Sequence, residues 1–141
     1  MAIDVLRGRN ALVRDRFQAA TVAGAPMCLS VIAWHELMFG AQRSAFPDQA
    51  EQRLRTWCAR LAIESLEPAD VEATAQVRAR LPRGRGIGAY DLLIAGQALA
   101  RGWTVVTANV REFSRVEGLN VIDWSKSASP AGVRSEHGRT G

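Results

Sequence analysis

Lysine is almost absent from this chain: Lys126 is the only one among 141 residues. The other basic residues are all arginine. Together the 18 Lys and Arg against 14 Asp and Glu leave a net charge of +4. A positive balance permits a nucleic-acid partner, but only a clustered charge drives counterion release, and a sum shows no clustering. Cysteine is scarce too. Cys28 and Cys58 are far apart and form no C-x-x-C motif, which leaves no disulfide framework and points to buried free thiols. With only two histidines, His35 and His137, a zinc site of the Cys/His kind has no ligand set. No apolar run approaches the ~20 residues of a membrane span, and no signal peptide is evident. The expectation is a soluble, cytoplasmic protein with no membrane partner.

What is present is ordinary for a globular domain: 48% hydrophobic and 23% charged residues. A chain of this size buries roughly two-thirds of its unfolded surface, enough for a core without disulfides or a structural metal. Residues 1–124 read as one domain. Residues 125–141 are mostly Ser, Gly, Ala and Arg without periodicity, and read as a disordered basic tail.

Along the domain, helices alternate with short apolar runs. Asn10 can cap a helix through Ala20, with Leu12, Val13 and Phe17 on one side. Residues 27–29 read as a strand, and Ser30 caps a helix over 31–43. Pro47 and Pro68 open two further helices, with a strand at 63–66 between them. Residues 83–88 form a basic, glycine-rich loop, followed by a helix over 90–100 that Gly102 stops. Residues 104–107 and 120–122 read as strands. Continuous apolar strands between helices predict an α/β sandwich around a parallel sheet, whose ligands sit beyond the carboxyl ends of the strands.

Three carboxylates interrupt the apolar pattern. Glu36 lies in the second turn of the helix after the strand at 27–29. Asp91 opens the late helix, and Glu112 lies in the loop after the strand at 104–107, three positions beyond Asn109. Each has a plainer explanation. Glu36 can face solvent, Asp91 can complement a helix dipole, and Glu112 can be an ordinary loop residue. His35 reads as a core or rim residue. Together they read more sharply, because each follows a different break and all can converge at one sheet edge. Clustered carboxylates repel without a cation between them. Oxygen ligands suit Mg²⁺ or Mn²⁺, and such an ion can polarise a phosphate and acidify a bound water. Arg83 and Arg85 can hold a phosphate backbone. Their loop lacks the spacing of a nucleotide-binding loop.

Five segments, in order, resemble the PIN-domain family, and more narrowly the VapC toxins of bacterial type II toxin–antitoxin pairs. They are residues 3–9, Ser30-Val-Ile-Ala-Trp-His-Glu-Leu-Met-Phe-Gly40, Ile87-Gly-Ala-Tyr-Asp-Leu-Leu-Ile-Ala-Gly96, Thr107-Ala-Asn-Val-Arg-Glu-Phe113 and residues 116–124. The resemblance implies a PIN-like three-layer sandwich and a magnesium-dependent endoribonuclease that cuts RNA. It also implies a VapB-type antitoxin as partner, contact with DNA only through that antitoxin, and a homodimer. Glu36 and Asp91 match the family's conserved acidic positions as metal ligands. Glu112 or Asn109 fills the last acidic position, Glu112 as a third metal ligand that completes the site or positions a second ion, Asn109 as a group that orients water or phosphate. Ala108 stands where the family often has Asn.

One departure is large. Family chains open with a central apolar strand ending in Asp-Thr-Asn, and this sequence reads as starting after it. Asp4 matches a later, non-ligand position. Either the working protein is longer at its N-terminus, which is the preferred expectation, or the chain is a truncated, catalytically inactive toxin that retains antitoxin or RNA binding. A DNA-directed nuclease or regulator acting alone is disfavoured, since no helix-turn-helix or ribbon element is visible.

Overall fold

The computed structural model describes residues 2–3, 11–24, 26–84 and 86–124. Asp4, Asn10, Arg85 and the tail at 125–141, including Lys126 and His137, lie outside the described residues, as do the side chains of Leu12 and Val13.

Five strands form one parallel sheet: β1 (Ala2–Ile3), β2 (Cys28–Ser30), β3 (Ala62–Glu64), β4 (Thr104–Val106) and β5 (Asn120–Ile122). Their order is β3-β2-β1-β4-β5. Among the described residues, the helices are α1 (Ala11–Val22), α2 (Val31–Gln42), α3 (Pro47–Trp57), α4 (Pro68–Arg80), α5 (Ala89–Arg101) and α6 (Val110–Phe113). This is the expected α/β sandwich. The core lies where the apolar strands meet the helices, at Leu29, Val105, Val106, Ile94, Ala95, Ala98 and Phe113.

The local signals act as their chemistry demands. Ser30 Oγ accepts from Ile32 N at 3.1 Å and so caps α2. Pro47 and Pro68 occupy first-turn positions that have no N–H to satisfy. Gly102 adopts φ +69° and ends α5 in the left-handed region, where a Cβ would be strained. Helices α4 and α5 pack closely because Gly96 is bare. A Cβ there would stand 2.6 Å from Thr74 Cα. Phe17 of α1 meets Trp57 of α3 with ring centroids 5.1 Å apart.

One expectation is corrected. The central strand, read as missing, is represented by two residues. Ala2–Ile3 pairs parallel with Cys28–Leu29 on one side and Val105–Val106 on the other. The reason is backbone satisfaction. Leu29, Val105 and Val106 are fully buried, and the facing edges of β2 and β4 would otherwise leave N–H and C=O groups unpaired in the interior.

The chain order reverses across β1: β2 and β3 lie to one side, β4 and β5 to the other. Such a switch point leaves a crevice beyond the carboxyl ends of the strands, where α/β proteins bind ligands.

Candidate active site

Asp91 lies in the first turn of α5, just after Gly88, which is the residue at the helix cap. It is 8% exposed, unusual for an aspartate. Its Oδ2 accepts from Asn109 Nδ2 at 2.8 Å. Asn109 is itself held, because its backbone N–H donates to Thr107 Oγ1 at 3.0 Å. Thr107 is buried directly after β4, and its own N–H bonds Ile122 O at 2.9 Å. The loop leaving β4 is therefore anchored to β5 and delivers Asn109 to Asp91.

Glu112 reaches the same place from α6. Its Oε1 accepts from Gly88 N at 3.1 Å, at the start of α5. Arg115 donates from a guanidinium N–H to Gly86 O at 2.7 Å. Residues 86–88 are thus gripped through both a donor and an acceptor by the segment that follows β4. The α6 helix and Arg115 were not singled out in the sequence, because a four-residue helix carries no periodicity.

Glu36 enters from α2, which continues directly from the carboxyl end of β2. Its Oε1 is buried, as is Asp91 Oδ1. Helices α2 and α5 meet near their starts through His35 and Tyr90, whose ring centroids are 5.2 Å apart. Each ring immediately precedes a candidate carboxylate in the chain. His35 is exposed, so it is a rim residue and not a core one. Arg83 is exposed on the loop before α5.

Asp91 and Asn109 are therefore in direct contact, Glu112 holds Gly88 at the start of the same helix, and Glu36 lies on α2, which meets α5 through His35 and Tyr90. Among the described residues, no three His, Cys, Asp or Glu side chains form a group able to hold a metal ion. The donor set is oxygen only, with a buried oxygen on each of two carboxylates. That chemistry fits Mg²⁺, which uses one or two carboxylates and keeps several waters. Both cysteines are buried outside any disulfide, and burial pushes both thiols up, Cys58 to about 11, so neither offers a thiolate.

A second polar cluster lies away from these residues. Arg101 donates to both oxygens of buried Asp70, at 3.1 and 2.6 Å, and to Glu64 Oε1 at 2.9 Å. The guanidinium also sits over Trp103, 5.0 Å from the ring centroid. The hydrogen bond from Arg101 holds the Asp70 carboxyl below its ordinary range, and the same bond raises Arg101. Every group in it has a partner, so it acts as a structural clamp between α4, α5 and the end of β3.

A profile of the PIN domain matches residues 2–119. The chain belongs to the PIN-domain family. It is 36% identical over 126 residues to the tRNA(fMet)-specific endonuclease VapC of Shigella flexneri, covering 89% of this chain and 93% of that relative. A ribonuclease VapC2 of Haemophilus influenzae is 32% identical, over 88% of this chain and 92% of the relative. Among solved structures, the DNA-bound VapBC of Salmonella typhimurium superposes with a TM-score of 0.72 at 38% identity. That match covers 80% of this chain and 84% of the other. VapBC-1 of nontypeable Haemophilus influenzae gives 0.74 at 25% identity, over 89% and 98%. The PIN-domain match spans the crevice described above, so Asp91, Asn109, Glu112 and Glu36 all fall inside it. No helix among the described residues is long and apolar enough to cross a membrane.

Proposed function

We propose that this PIN-domain protein is a Mg²⁺-dependent endoribonuclease, the toxin of a type II toxin–antitoxin pair. The observation that carries the reading is Asp91: a buried carboxylate at the sheet's switch point, oriented by Asn109. Likeness to VapC endonucleases over most of the chain supports the substrate class, and tRNA is the first RNA to try.

Asp91 and Glu36 are the residues that hold the cation, with Mn²⁺ as a possible substitute. When bound, it supplies polarisation of a phosphate and acidification of water for in-line attack. Asn109 fixes the orientation of the Asp91 carboxylate, as outer partners of ligating carboxylates do. Glu112 acts at one remove, by holding Gly88 and so the start of α5, and it completes or adjusts the site. Arg83 offers a charge for the phosphate backbone.

The partner class follows from the same likeness. Solved relatives are VapBC complexes, one of them bound to DNA. This supports a VapB-type antitoxin as partner, with DNA contact through that antitoxin; a homodimeric toxin is part of the reading on the family resemblance alone. The second reading is an inactive toxin that still captures antitoxin or RNA. It is favoured by the absence, among the described residues, of a three-ligand group.

The deciding experiment is cleavage of tRNA and of a single-stranded RNA by the purified chain, with Mg²⁺ and with EDTA. Asp91→Asn and Glu36→Gln serve as controls, alongside a circular-dichroism melt. The reading expects Mg²⁺-dependent cleavage that both substitutions abolish without loss of the melt. Antitoxin capture without any cleavage by a folded chain would establish the second reading instead.

A further inference from the structure

We propose that His35 and Tyr90 form an aromatic platform at the mouth of the acidic site, on which an unpaired base of the RNA stacks. The inference rests on the ribonuclease reading and adds the surface that positions the nucleotide.

A half-exposed aromatic is common and means little alone. Three further observations distinguish this one. Tyr90 is 48% exposed although the next residue, Asp91, is 8% exposed. The ring therefore stands in solvent on the same helix turn that carries a buried carboxylate. It is also not a loose side chain. His35, from a different helix, meets it at 5.2 Å and an interplanar angle of 72°, an edge-to-face contact that fixes the ring's orientation. Finally, the pair spans α2 and α5, the helices that carry Glu36 and Asp91, with each ring one residue before its carboxylate.

The site itself explains why such a platform is useful. Carboxylates repel the phosphate backbone that they are meant to act on. On the ribonuclease reading the cation and Arg83 offset that repulsion, and contacts that do not depend on charge add a hold on the nucleotide itself. Unstacked RNA bases meet that need by stacking on Tyr or His rings, with little demand on sequence. Tyr90 is the stacking residue. His35 is a positioning residue that holds its plane.

The test compares the full chain with Tyr90→Leu, Tyr90→Ala, Tyr90→Phe and Tyr90→Trp in Mg²⁺, after a circular-dichroism melt of each. The readouts are KM and kcat on one single-stranded RNA and on the same RNA with abasic positions around the cleavage point. Stacking predicts a KM increase of roughly 5- to 100-fold in the Leu and Ala variants, the range a lost base–aromatic stack corresponds to. The Phe and Trp variants rescue KM, and the loss disappears on abasic RNA. His35→Ala gives a smaller KM increase, rescued by His35→Phe.

A KM within twofold of the parent in Tyr90→Leu overturns the inference, as does an equal loss on abasic RNA. A Phe variant as weak as Leu would assign the effect to the hydroxyl and also overturn it. So would weakened antitoxin capture with an unchanged RNA KM, which would make the pair a protein-docking surface. A parent chain that cleaves no RNA removes the ribonuclease reading and this inference together. A cleaving parent with an indifferent Tyr90→Leu removes this inference alone.

Discussion

Asn109 shows how much one amide can set. It spends its side-chain donor on Asp91 and its backbone donor on Thr107, so the carboxylate is oriented from a loop that is anchored in the sheet. Removing the amide leaves Asp91 in place without the hydrogen bond that aims its Oδ2. Asn109→Ala is therefore expected to lower Mg²⁺-dependent cleavage by roughly 10- to 100-fold, the usual cost of losing an outer partner of a ligand. Its thermal melt should stay close to the parent's. A Mg²⁺ titration of cleavage checks this, because the loss should appear partly as a higher metal requirement. A variant that cleaves at the parental rate would show that the amide is dispensable to the site.

Between elements, the contact to watch is α4 on α5. Gly96 lets the two helices approach until a Cβ would press on the Thr74 backbone. Thr74 is pinned in turn, its hydroxyl donating to Asp70 O at 2.8 Å. Gly96→Ala gains a little helix propensity. It loses more by overpacking, roughly 1–3 kcal/mol. The expected outcome is a Tm several degrees lower; an unchanged Tm would mean that the helices can slide apart without cost. Elements were readable where a single residue supplies the boundary: Ser30, Pro47, Pro68 and Gly102 all act at the places their chemistry suggests. They were not readable where length is too small for a period. Two residues make β1 and four make α6, and neither can alternate or turn often enough to leave a pattern. Strand β2 is shifted by one residue, to Cys28–Ser30, because Ser30 pairs with Glu64 before it caps α2. For the site, the sequence marked Asp91 and Asn109 as neighbours of one crevice. The role of Glu112 was hidden, since its partner is a backbone N–H and not a side chain.

Across the whole molecule, stability depends on the Asp70–Arg101 clamp as well as on the apolar core. Asp70 is 2% exposed and joined to Arg101 through both oxygens. Its carboxyl is held below the ordinary range, so the folded chain binds its last proton at lower pH than the unfolded chain does. The clamp's contribution is thus complete above the unfolded value, ~3.9, and is lost as pH falls through the folded value. Urea midpoints should be flat from neutral pH to about pH 5 as far as this group is concerned, then fall. Asp70→Ala should cost up to roughly 3 kcal/mol at neutral pH, because it leaves a partly buried guanidinium with Glu64 alone as counter-ion. It should also remove part of the acid slope. An acid slope as steep in the variant as in the parent would place the acid sensitivity elsewhere.

The grip of Glu112 and Arg115 on residues 86–88 has a consequence for how the crevice meets its ligands. One side chain takes the N–H of Gly88 and the other takes the C=O of Gly86, and both come from the segment beginning with α6. Both contacts on Gly86 and Gly88 come from the protein's own groups. The conformational entropy that these contacts remove is lost when the chain folds, before any ligand binds. The start of α5, with Asp91 and Tyr90 on it, meets an incoming strand already in position.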